Sequence, residues 1–217
     1  MKKKMIQFIR KYAKWMILFV CIVVFTEITI EVFGKEIMKK DIIGYQMISN
    51  YLISDFATPI AKVITTLGGA NVIIFITLMF LLFSKNKKIG VSVLVNLMIV
   101  VGLNLILKNI VQRPRPTEYR IINETGYSFP SGHSMVSMAF YGYIIYLIFK
   151  LVKNKKIKIP LIIALSLLIF TIGISRIYLG VHYTSDVLAG FAISLSYLII
   201  YTSVIKKFVL ERDENNE

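Results

Sequence analysis

SRIYLGVHYTSD, from Ser175 to Asp186, sets an arginine, a histidine and an aspartate between two long apolar runs. Two further polar clusters precede it, KNIVQRPRP from Lys108 to Pro116 and PSGH from Pro130 to His133. Each lies at the end of an apolar run, and together the three clusters hold both histidines of the chain. Charged and titratable groups beside lipid are costly to keep, so their presence there marks a functional site by default.

The apolar runs around these clusters fix the class of protein. The 217 residues are 56% hydrophobic, and mean hydropathy is +0.70, far from the composition of a soluble domain. A net charge of +14 invites a nucleic-acid partner, but the cations lie in short tracts between apolar segments and form no stripe. No nucleic-acid binding is expected. Cys21 is the only cysteine, so no disulfide can form within the chain. The first apolar run lacks a small-x-small cleavage pattern and is expected to be a retained span, not a signal peptide.

Six segments approach the roughly 20 residues that a bilayer requires, near 15–33, 65–83, 89–107, 133–152, 158–175 and 185–205. The expected fold is therefore all-α, a single polytopic membrane domain of six transmembrane helices over residues 1–217. With a cytoplasmic N-terminus, the inner segments hold six, three, five and three cations, 17 of the 26 Lys and Arg. This bias predicts an N-in, C-in topology. Residues 34–64 form the long outer segment, and its mixed part, Lys35 to Asp55, fits an amphipathic helix on the outer leaflet or a loop folded over the bundle. Thr58-Pro59 resembles a helix start. Glu211 to Glu217 form a short polar tail.

With that topology all three clusters fall on the outer face. Lys108 and Arg115 supply a point charge and a planar fork suited to phosphate oxygens, although a basic tract meeting lipid headgroups would look the same. Pro114 and Pro116 are expected to end the helix before Arg115. Ser131 can cap the fourth span and Gly132 lets backbone N–H groups approach an anion, with His133 in the first turn. A simple capped helix is the plainer reading of those four residues. His182 and Asp186, spaced i, i+4, would share a helix face, where a carboxylate can fix an imidazole tautomer. A structural His–Asp pair is the alternative. Two histidines and a carboxylate could also hold a metal, but Lys108, Arg115 and Arg176 would repel it, so a metal-free phosphate site without cofactor is expected.

At these residues the chain resembles the type 2 phosphatidic acid phosphatase superfamily, whose signature is K-x6-R-P, P-S-G-H and S-R-x5-H-x3-D. Lys108, Arg115-Pro116, Pro130 to His133, Ser175-Arg176, His182 and Asp186 match all three parts in order. The resemblance implies a bacterial integral-membrane lipid phosphatase that acts without metal or cofactor. It implies that His182 is the nucleophile forming a phosphohistidine, Asp186 its orienting partner and His133 the general acid. Lys108, Arg115, Ser131, Gly132 and Arg176 would bind the phosphoryl oxygens. Substrates expected on this basis are undecaprenyl diphosphate, phosphatidylglycerophosphate or phosphatidic acid, with the bilayer as the other partner. Transfer of phosphate to an acceptor other than water is the alternative within the family. A non-catalytic lipid-binding protein or transporter is the alternative outside it, with Asn96, Asn104, Glu27 and Glu31 as candidate path residues.

Overall fold

Local chemistry sets the helix ends. Asn86 and Asn154 each accept a hydrogen bond from the amide two residues on, at 3.0 Å, and so cap two of the long helices. A computed structural model describes residues 2–34 and 37–210, with side chains from 12 to 34 and 37 to 209. The polar tail 211–217, Lys35 and the side chains of the first cations lie outside the described residues. Eight helices and no strands occur among the described residues: α1 (Lys2–Phe33), α2 (Lys39–Leu52), α3 (Ala57–Leu67), α4 (Ala70–Phe83), α5 (Lys87–Val111), α6 (Gly132–Leu151), α7 (Lys155–Tyr178) and α8 (Thr184–Leu210).

Five of these, α1, α5, α6, α7 and α8, are long and apolar enough to cross a membrane. They match the expected spans near 15–33, 89–107, 133–152, 158–175 and 185–205 closely. The span expected over 65–83 is different. It is a pair of helices, α3 and α4, bent by 43°, and it starts at Ala57, beside the Thr58-Pro59 signal. The break falls at Gly68-Gly69, where glycine gives the helix least support. Close packing also requires Gly68: a Cβ there would lie 2.7 Å from Ile172 Cγ2 and 3.3 Å from His133 Cδ2.

α6 is the central helix, packed by α5, α7 and α8, while α1 lies along α8. Its Phe140 and Tyr143 are fully buried against Val93 of α5 and Ile172 of α7. Several polar groups inside the bundle bond to neighbouring helices and loops, which offsets the cost of burying them away from water. Asn96 Nδ2 donates to the Ala139 carbonyl at 3.1 Å, and Tyr143 donates to Ser92 Oγ at 2.8 Å. Asn104 Nδ2 donates to the Pro130 carbonyl at 3.2 Å. Asn96 and Asn104 thus tie helices and loops together, and Glu31 pairs with Lys40; none of the three needs a transport path to account for it. Lys14 meets Ser203 and Lys88 meets Phe208, so the start of α5 and the end of α8 lie together at one end of the bundle. The three polar clusters sit at the helix ends opposite.

Replacing Gly68 by Val should cost about 1–3 kcal/mol through overpacking at the α3–α4 corner. A thermal melt in detergent checks this; a melting temperature equal to that of the parent would mean the corner is loosely packed.

Candidate active site

The two loops that follow α5 and α7 carry most of the site. α5 ends at Gln112, whose left-handed conformation (φ 52°) returns its N–H to the Lys108 carbonyl at 2.9 Å. The chain then runs through Arg113-Pro-Arg-Pro116 without helix, as the prolines dictate. After α7, Gly180 turns the backbone at φ +68°, and a Cβ there would fall 2.0 Å from the Tyr119 carbonyl oxygen. Only glycine allows that crossing of the two loops.

His182 lies just before α8, and Asp186 lies in its first turn. The expected pair on one helix face is therefore a pair across a helix N-terminus. Nδ1 of His182 faces Asp186 Oδ2 at 3.4 Å, a distance long enough to tighten when substrate binds. Asp186 Oδ2 also accepts the Tyr183 N–H at 2.9 Å. On the other side of the ring, Arg115 NH1 meets Nε2 at 3.0 Å. A guanidinium can only donate, so Nε2 holds a lone pair and Nδ1 holds the proton facing Asp186. His182 is lowered to about 4 by burial first, with Arg115 and Arg176 adding to the effect and Asp186 opposing it. The ring is therefore neutral at pH 7.

Arg115 spends no donor on a carboxylate. Its remaining N–H groups go to the carbonyls of Val181 at 3.0 Å, Gly126 at 3.0 Å and Thr125 at 3.0 Å. Arg176, 1% exposed, donates to Thr65 Oγ1 of α3 at 2.8 Å and to the Glu124 carboxylate. Its Nε is buried without a partner. Burial acts against the charge on Glu124, yet the charge and hydrogen bond of Arg176 hold its carboxyl below the usual range. Lys108 bonds the Tyr127 carbonyl and lies within electrostatic reach of Arg115, Arg176 and Glu124. His133 is within the same reach of Arg176, Glu124, His182 and Arg115.

Ser131 caps α6, its oxygen accepting from the Ser134 amide at 3.4 Å and hydroxyl at 2.9 Å. Its own N–H donates to the Asp186 carbonyl at 3.0 Å, which joins the second cluster to the third. Gly132 opens the helix against Asn104. The three clusters thus converge on one locality. Sequence reasoning missed Asp41, Thr65, Arg113 and Glu124 as site residues. Arg113 stood within the first cluster, whereas Thr65 has no local signal at all. Among the described residues no three His, Cys, Asp or Glu side chains converge to hold a metal ion. A cavity of about 440 Å³ between α2 and Pro116–Tyr119 reaches His182 from the side of Asp41.

The family profile for the PAP2 superfamily matches residues 89–210. Phosphatidylglycerophosphatase B of Bacillus subtilis (strain 168) is 38% identical over 113 residues, 49% of this chain and 54% of that protein. The chain thus spans about half the length of that relative. Undecaprenyl-diphosphatase of Sulfolobus acidocaldarius is 28% identical over 215 residues, 91% of this chain and 96% of that protein. The crystal structure of a transmembrane PAP2-type phosphatidylglycerolphosphate phosphatase from Bacillus subtilis superposes with a TM-score of 0.73 at 26% identity, covering 93% of this chain and 100% of that one. Aquifex aeolicus LpxE superposes with a TM-score of 0.59 at 25% identity, covering 73% and 92%.

Arg115 lowers the proton affinity of His182, so removing it raises that affinity. In an Arg115→Gln variant the acid limb of kcat/KM should move to higher pH, alongside a loss of about 100-fold or more in rate. A pH profile that keeps the parental limb would show that Arg115 does not act on the His182 ring.

Proposed function

The chain belongs to the PAP2 superfamily, and on that premise we propose that it removes phosphate from a membrane lipid by way of a phosphohistidine on His182. Its relatives named above are phosphatases of lipid substrates. The observation that carries the reading is the state of His182: a neutral ring whose Nε2 lone pair faces a cluster of cations.

The steps use this chain's own residues. Arg115, Arg176 and Lys108 take the non-bridging oxygens of the phosphoryl group, and Glu124 gives way to the incoming anion. Arg115 leaves Nε2 as it turns to the phosphate. The Nε2 lone pair attacks phosphorus and the bond to the lipid oxygen breaks, with His133 passing its proton to that oxygen. The positive charge that develops on the His182 ring is met by Asp186. Water, giving a proton back to His133, then attacks phosphorus and breaks the P–N bond, which releases phosphate and restores both histidines. The charge on the phosphate itself favours a proton on His133, which it faces.

Placement in the membrane follows from charge. The 17 of 26 cations on one set of connecting segments favour a cytoplasmic N-terminus and put the site at the outer surface of a plasma membrane. α2 lies at that level, and its exposed Ile42, Ile43, Met47 and Leu52 suit an interfacial helix. A substrate with its tail in the bilayer and its phosphate at the surface fits this geometry: undecaprenyl diphosphate, phosphatidylglycerophosphate or phosphatidic acid.

Purified protein in detergent micelles should release phosphate from at least one of these three lipids, in the presence of a chelator, and His182→Ala should abolish release. The rank of the rates then identifies the preferred headgroup. Absence of release from all three lipids by the intact protein would overturn the reading, and release that needs added metal would overturn its metal-free form.

A further inference from the structure

Arg113 and Asp41 are given no phosphoryl oxygen to bind in the steps above, yet they are 8% and 2% exposed. A buried ion pair is weak support for stability in itself, because desolvation offsets most of the attraction. The placement of this pair points elsewhere. Arg113 NH1 donates to Asp186 Oδ1 at 2.6 Å and to Ser185 Oγ at 2.8 Å, and NH2 donates to Asp41 Oδ2 at 2.8 Å. Its guanidinium carbon lies 4.1 Å from the centre of the Tyr183 ring. Asp41 in turn accepts the Ser185 N–H at 2.8 Å and the Ser185 hydroxyl at 3.0 Å. It therefore caps the start of α8 from another helix.

We propose that Arg113 and Asp41 are positioning residues, which fix the Asp186 carboxylate against Nδ1 of His182 and set the net charge behind the nucleophile. This rests on the phosphatase reading above. A carboxylate turns readily about its last torsion. Here one oxygen is anchored by Arg113 and the other by the Tyr183 N–H, so Oδ2 stays presented to His182. Arg113 and Arg115 are two residues apart, with Pro114 between them. They hold the His182–Asp186 pair from its two ends, one on Oδ1 and one on Nε2. In the sequence pattern Arg113 is mere spacing between Lys108 and Arg115.

Charge gives Asp41 its part. Asp41, Arg113 and Asp186 together carry one net negative charge, which can meet the positive charge that develops on His182 as Nε2 bonds phosphorus. Without Asp41 the group is neutral and Arg113 draws on Asp186 alone. The other charged or titratable groups around Arg113, Asp41 and the His182–Asp186 pair are Tyr45 of α2, Lys108 of α5, Arg115, Glu118, Tyr119 and Glu124 of the loop, His133 of α6, Arg176 of α7 and Tyr183. None of these changes in the variants below, so a displaced pH profile reports the altered group.

The test is steady-state phosphate release by the full chain in detergent, as a function of pH, from whichever of undecaprenyl diphosphate, phosphatidylglycerophosphate and phosphatidic acid the parent hydrolyses fastest, with thermal stability measured beside it. Asp41→Asn should lower kcat roughly 10- to 100-fold, on the order of the coupling between groups that share one hydrogen-bond network, while KM stays within about twofold. Its acid limb should move down by about one pH unit, and that of Arg113→Met should move up by a similar amount. Arg113→Lys keeps the charge but not the fork, so its limb should stay near that of the parent while kcat falls. Stable variants with parental kcat and parental profiles would overturn the proposal. So would losses of activity that follow the loss of folded protein with no movement of the profile, since that is what a purely structural pair would give. Asp41→Asn is isosteric and keeps the question open to test if Arg113→Met does not fold. Parent protein that is active on the lipid, with an inactive His182→Ala control, ensures that a negative result counts against this proposal; an inactive parent counts against the phosphatase reading and takes the proposal with it.

Discussion

Buried guanidinium groups are the constraint on which the rest of the site depends. Arg113, Arg115 and Arg176 are each 8% exposed or less, at the ends of helices built to lie in lipid. A charge so placed is tolerated only when it is paired or fully hydrogen-bonded. Arg113 meets this with two carboxylates, and Arg176 with one carboxylate and a threonine. Arg115 meets it with carbonyls and the His182 ring alone. The guanidinium beside Nε2 of His182 is therefore bonded to no carboxylate, and it is held in place before any substrate arrives. Preorganised charge of this kind acts where negative charge develops in a transition state.

The folding of the two loops follows from the same need. Loop 112–131 must bend back so that its carbonyls reach Arg115 and its Glu124 reaches Arg176. Loop 179–183 must cross it at Gly180 so that Val181 and His182 meet Arg115. The α3–α4 corner brings Thr65 to Arg176 and sets Gly68 against the His133 ring. Hence the glycines that look like weak points in helices are the positions where backbone must come close to the site.

The sequence made the long helices and the three clusters legible because both are local properties. Apolar runs report their own length, and Lys108, Arg115, His133, Arg176, His182 and Asp186 stand out as polar groups at the ends of such runs. The bent second span was read as one helix over 65–83, since apolar composition does not show that Gly68-Gly69 breaks it. The His182–Asp186 spacing looked helical, but α8 starts only at Thr184. Asp41, Thr65, Arg113 and Glu124 escaped for a different reason. Their partners lie 72, 111, 72 and 52 residues away, and no local pattern marks a partner at such range. The segment before α3 read equally well as an amphipathic helix or as a loop over the bundle; it holds a helix, α2, whose buried Asp41 reaches the start of α8.

The central claim is that Nε2 of His182 carries the phosphoryl group during turnover. Rapid acid-free quenching of the protein with radiolabelled lipid phosphate, followed by alkaline denaturation and peptide mapping, tests it directly. The account predicts label that survives alkali, is lost in acid and maps to the peptide containing His182, with none on His182→Ala. Phosphate release by the intact protein with label on another residue, or with no trapped label while His133→Ala also fails to accumulate any, would contradict it.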